Sequence, residues 1–93
     1  KLEKHSKYFI ELSPFLVLSS TGPDGLCDTT PRGGEPGFVH VLDDNTIAVP
    51  DRPGNNRLDT LTNVLAHPGV GLIFFIPGVN ETLRINGKTE IYT

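Results

Sequence analysis

The chain has 93 residues, 37% hydrophobic and 20% charged, with a formal net charge of −3, so it forms one globular domain whose thin core buries about 60–65% of the unfolded surface. Net acidity removes the counterion-release attraction on which general nucleic-acid binders rely, a single cysteine excludes an intrachain disulfide, and no apolar run approaches the roughly 18–20 residues that span a bilayer. With no basic-then-apolar leader at its start, the sequence reads as cytoplasmic, and Cys27 as a buried, inert thiol.

In chain order, residues 1–11 carry Tyr8, Phe9 and Ile10 among charges, which suits a short helix or approach segment ending at Ser13-Pro14. Residues 15–21 (FLVLSST) read as a strand stopped by the turn formers Gly22-Pro23-Asp24-Gly25. Strand character resumes at 26–30 and breaks again in Pro31-Arg32-Gly33-Gly34-Glu35-Pro36-Gly37. Residues 38–42 and 46–49 flank Asp43-Asp44-Asn45 as a second hairpin, so this half of the chain reads as a meander.

A helix is expected over 57–66, where Leu58, Leu61, Val64 and Leu65 form one apolar stripe; Asn56 is its N-cap and His67-Pro68-Gly69 ends it. Residues 70–76 (VGLIFFI) are almost continuously apolar, the mark of a core strand covered on both faces. Residues 83–92 read as a last strand, interrupted at Asn86-Gly87 by a tight turn or a bulge. The fold class is mainly β with one or two helices.

Two stretches combine cations with exposed backbone donors. Asp51-Arg52-Pro53-Gly54-Asn55-Asn56-Arg57 leads from a strand end into the expected helix, where free N–H groups, the helix dipole and two arginines favour a phosphate. Taken alone, it fits a capped helix with solvated arginines equally well. Thr29-Thr30-Pro31-Arg32-Gly33-Gly34 places a cation and two glycines at a strand end, and fits a broken strand with a surface arginine slightly better. His5, His40 and His67 sit on different elements with no zinc-site spacing, so no metal is expected. Asp43-Asp44-Asn45 lacks the distal Glu of a calcium loop, and Asn80-Glu81-Thr82, though a glycosylation pattern, reads as a plain turn. No serine elbow or Cys–His neighbourhood marks a hydrolytic nucleophile.

Four runs, Thr30-Pro31-Arg32-Gly33, DRPGNNRLDTL at 51–61, His67-Pro68-Gly69-Val70-Gly71-Leu72 and Glu81-Thr82-Leu83-Arg84-Ile85-Asn86-Gly87, together resemble one branch of the pyridoxamine 5′-phosphate oxidase-like flavoproteins. The resemblance covers most of the chain. It implies an FMN-binding split β-barrel, with residues 1–93 forming the N-terminal part of a longer family domain that is incomplete here at its C-terminus. It further implies a homodimer holding FMN between the protomers, and a small-molecule redox substrate. By the same resemblance, cofactor contacts fall to Thr30, Arg32 and Gly33, to Asp51, Arg52, Asn55, Asn56 and Arg57, and to Arg84. Arg32 would lie near the flavin, Arg52, Asn55, Asn56 and Arg57 would surround the phosphate, and Arg84 with Asn86 would complete the site. The Arg-x-Val-Leu-Leu-Lys strand of the true oxidase is absent, which leaves pyridoxamine phosphate unsupported as substrate, and related branches bind deazaflavin or haem. No residue is singled out as catalytic acid or base. The reading is an FMN-dependent oxidoreductase, with a non-catalytic flavin-binding or flavin-sensing module as the alternative. An oligonucleotide-binding β-barrel is a poorer third, because the chain is acidic and has few exposed aromatic candidates.

Overall fold

The computed structural model describes residues 2–50 and 68–89. In order these form α1 (Lys4–Leu12), β1 (Phe15–Thr21), β2 (Cys27–Gly33), β3 (His40–Asp43), β4 (Thr46–Ala48), β5 (Gly69–Phe75) and β6 (Thr82–Lys88). The fold is mainly β with one short helix. One antiparallel sheet has the order β2-β1-β5-β6, and β3-β4 form a separate hairpin. The sheets do not close into a barrel among the described residues, an arrangement consistent with a partial split barrel. The helix expected over 57–66, its Asn56 cap and the junction at 51–57 lie outside the described residues.

Each element follows from its local chemistry. In α1, Phe9 and Ile10 turn inward, and the helix stops because Pro14 disfavours helical backbone at the residue before it. Ser13 then turns the chain: its buried hydroxyl lies 2.6 Å from the Phe75 carbonyl and 2.8 Å from that of Phe15, fastening the helix end to two strands. Lys7 pairs with Asp44, whose carbonyl accepts the Leu2 N–H at 2.6 Å, so the hairpin turn is drawn onto the helix. Gly37 has φ +79, and a Cβ there would meet the Glu11 carbonyl at 2.9 Å, which leaves glycine as the residue that fits.

The alternation of β1 sends Leu16, Leu18 and Ser20 inward, where Leu16 and Leu18 join Leu72 and Phe74 of β5 and Phe9, Ile10, Phe38 and Val39. This is the core. It lies on the face of the sheet that α1 covers. Val17, Ser19 and Thr21 point to the opposite, outer face, which is half-buried.

Five local expectations need correction. The first half of the chain is not a simple meander, because β1 pairs with β5 as well as β2, across some fifty intervening residues. β2 does not break at Pro31 but runs in register through Gly33, with Pro31 opposite Val17. An edge strand tolerates this, since one side of it has no ladder partner to miss the proline's absent N–H. Asn86-Gly87 makes neither turn nor bulge: Asn86 pairs with Gly71 and Gly87 with Val70 in unbroken register. Cys27, read as buried, is exposed, because it opens the edge strand beside the Gly22–Leu26 turn. The apolar run at 70–76 does form the central strand β5, yet only Leu72 and Phe74 are buried, while Ile73 and Phe75 on the outer face are half-covered.

Candidate functional site

Directly opposed residues in an antiparallel sheet share a face, so the registers define the outer surface row by row. One row runs Pro31, Val17, Ile73, Arg84, and the next Thr29, Ser19, Gly71, Asn86. Between them lies an open trough of about 1030 Å³, lined by Val17, Ser19 and Thr29 on one side and by Ile73, Arg84 and Asn86 on the other. Glycines floor it. A Cβ added at Gly69 would have nothing within 4 Å, and one at Gly71 would meet only the Asn86 side-chain oxygen, at 3.2 Å. At one end Phe15 and Phe75 pair with ring centroids 5.9 Å apart and a 53° tilt.

The trough is apolar in the middle and polar at its margins. Arg84 and Asn86 stand on the β6 side, with Lys88 two residues on and opposite Gly69. That margin is positive in a chain whose net charge is −3. Ser19 and Thr29 offer hydroxyls from the other side. This combination of a bare backbone floor, an apolar centre and a few convergent polar groups is the usual constitution of a small-molecule site.

The residues expected to hold a cofactor do not all share this face. Arg84 is in the trough, and Gly33 lies on the outer face opposite Phe15. Thr30 and Arg32 turn the other way, opposite Leu18 and Leu16 on the core face. Thr30 is fully buried, and its hydroxyl, like the Asp28 Oδ2 two residues earlier, has no hydrogen-bond partner among the described residues. Arg32 is half-buried near the end of the edge strand. Asp51, Arg52, Asn55, Asn56 and Arg57 lie outside the described residues. The trough adds Val17, Ser19 and Ile73, which sequence reasoning did not single out, together with Thr29 from the second candidate stretch and Gly69 and Gly71 from one of the four motif runs; the alternation of 15–21 marks Val17 and Ser19 as sharing a face, but not what they face. Among the described residues no group of three His, Cys, Asp or Glu side chains is placed to hold a metal, and no helix is long and apolar enough to cross a membrane.

The trough fits a flavin on its own chemistry. Cβ-free backbone lets a flat ring approach closely, Val17 and Ile73 offer apolar contact, and Arg84 and Asn86 can donate to ring carbonyls. No curated protein and no solved structure matches the chain significantly. The family model described as pyridoxamine 5′-phosphate oxidase matches residues 2–93. That span takes in α1 and every strand of both sheets, so the chain belongs to the pyridoxamine 5′-phosphate oxidase-like family.

Proposed function

We propose that the protein binds FMN in the outer-face trough and acts as an FMN-dependent oxidoreductase on a small-molecule substrate. The observation that carries this reading is the glycine-floored trough with Arg84 and Asn86 at its margin, in a chain of a flavoprotein family. FMN supplies the electron chemistry; the protein supplies binding, orientation and electrostatics. Val17 and Ile73 support the ring, and Arg84 places a fixed cation beside it, favouring whichever redox state holds more negative charge. Arg52, Asn55, Asn56 and Arg57 take the phosphate, on the sequence argument of a basic strand-to-helix junction.

The trough is open on its outer side, and a flat ring needs a second wall. A second copy of the chain supplies it, packed about a two-fold axis so that the half-covered faces of β1 and β5 are buried. Thr30 and Arg32 lie on the opposite face from Arg84, so a flavin touched by both kinds of residue draws them from different protomers or around the β2 edge. The alternative, a flavin-binding module without turnover, has one observation in its favour: Arg84 is the one ionisable side chain among the described residues lining the trough.

The visible spectrum of the purified protein and titration with FMN and riboflavin test the reading. Yellow absorbance and a preference for FMN are expected, since a phosphate carrying about −1.5 to −2 charges gains most from a basic helix N-terminus. Equal affinity for riboflavin removes the phosphate site. Rapid bleaching by a nicotinamide cofactor, followed by transfer to an acceptor, separates the enzyme from the module.

A further inference from the structure

Asn86 stands out on the trough margin. Its side-chain oxygen lies over the backbone of Gly71, 3.2 Å from where a Cβ would be. No hydrogen bond ties this amide to another side chain or to backbone among the described residues. The same row carries Ser19 and Thr29 beyond Gly71, so the amide borders a gap in which the nearest floor is bare backbone. It therefore has both an acceptor and a donor, side by side, available at the edge of the trough.

A flavin has one edge that matches this pair. Its pyrimidine portion is an imide, with a ring N3–H flanked by the C2 and C4 carbonyls. The carboxamide of asparagine presents an acceptor oxygen and an N–H donor next to each other, and these pair with an adjacent N–H and carbonyl in two parallel hydrogen bonds. Asparagine reads the donor–acceptor edge of adenine in the same two-bond manner. Building on the flavin reading above, we infer that Asn86, standing beside Gly71 on the trough margin, is the specificity-determining residue for the imide edge of the ring, accepting from N3–H and donating to a neighbouring carbonyl. Gly71 is then a positioning residue. Its missing side chain makes the room in which the amide lies, and any larger residue there displaces the amide.

The inference is tested with N3-methylated FMN, in which the ring donor is replaced by a methyl group. Calorimetric titration compares FMN with this analogue in the wild type, Asn86→Ala and Gly71→Ala. Replacing the ring donor by a methyl group removes this hydrogen bond and leaves Asn86 without its partner, worth up to about a tenfold change in affinity, so the wild type is expected to prefer FMN by about five- to tenfold. Asn86→Ala should bind both flavins within about twofold of each other, and Gly71→Ala should fall between. Both substitutions are mild for the fold: Asn86 is exposed on an edge strand, and a methyl at Gly71 meets only the end of a side chain. Unchanged circular dichroism confirms folding. If Asn86→Ala keeps the wild-type preference, or the wild type shows none, the role of Asn86 is overturned while flavin binding stands. If neither flavin binds the wild type, the flavin reading fails and this inference with it.

Discussion

At the scale of single residues, two hydroxyls of the core face behave oppositely. The Ser13 hydroxyl is buried and sits within hydrogen-bond distance of two strand carbonyls, so Ser13→Ala leaves a buried acceptor unmet and should lower stability by about 1–2 kcal/mol in urea unfolding. The Thr30 hydroxyl is equally buried and meets no partner among the described residues. An unmet hydroxyl in a core is a cost, and valine has nearly the same shape, so Thr30→Val should leave the free protein unchanged or stabilise it by up to about 1 kcal/mol. A loss of stability in the apoprotein melt would mean that the hydroxyl is satisfied by something else, such as an ordered water. If instead the apoprotein is unaffected and FMN affinity falls, Thr30 contributes to the cofactor site from across the interface.

At the scale of elements, the β3-β4 hairpin carries the clearest pH dependence. Asp43 closes its turn by accepting the Asn45 N–H at 2.7 Å. That bond, with a smaller contribution from the Thr46 side chain, holds the Asp43 carboxyl below its ordinary value of 3.8. Because the folded pKa is depressed, the contribution is fully present above 3.8 and is lost as pH falls through the lower folded value. The Asn45 amide resonance should therefore titrate with a midpoint below 3.8, and Asp43→Asn should abolish the step; a midpoint at or above 3.8 would contradict the turn bond. The central strand makes a different demand. Phe74 is fully buried between β1 and β6, and Phe74→Ala should cost about 3–5 kcal/mol. A domain this small has little more than that to lose, so thermal melts of the variant should show a fraction of it unfolded at room temperature.

At the scale of the molecule, the four-stranded sheet has one face in the core and one half-open. Ile73, Val17 and the Phe15–Phe75 pair on the open face are more apolar than an exposed face requires. Burial against a second copy removes that surface from water, so light scattering should give the mass of two chains. Val17→Asp places a charge at the centre of the face and should yield a monomer that has also lost FMN. A monomeric wild type that holds FMN tightly would show that one chain builds both walls of the site.

Much of this was legible in the sequence because it is local. Residues 15–21 announce β1 by alternation and by the Gly-Pro-Asp-Gly that stops them, Asp43-Asp44-Asn45 announces the second hairpin, and the apolar run at 70–76 announces a central strand. What sequence could not decide was pairing. Nothing local in 15–21 says that it will lie against 69–75 as well as against its hairpin partner, because that choice depends on the summed burial of residues some fifty positions apart. Once it is made, the rest follows from the two-residue period of a strand. It sends Thr30 and Arg32 to the core face and Arg84 to the outer face, although all three belong to motifs that look alike as basic, polar strand ends. It also lays Gly71 beside Asn86, making them the floor and margin of one trough. Alternation, turn chemistry and an apolar run marked β1, the second hairpin and β5 in the sequence, and the motif runs marked the family, whereas the register of β1, β5 and β6 decided which side chains share a face.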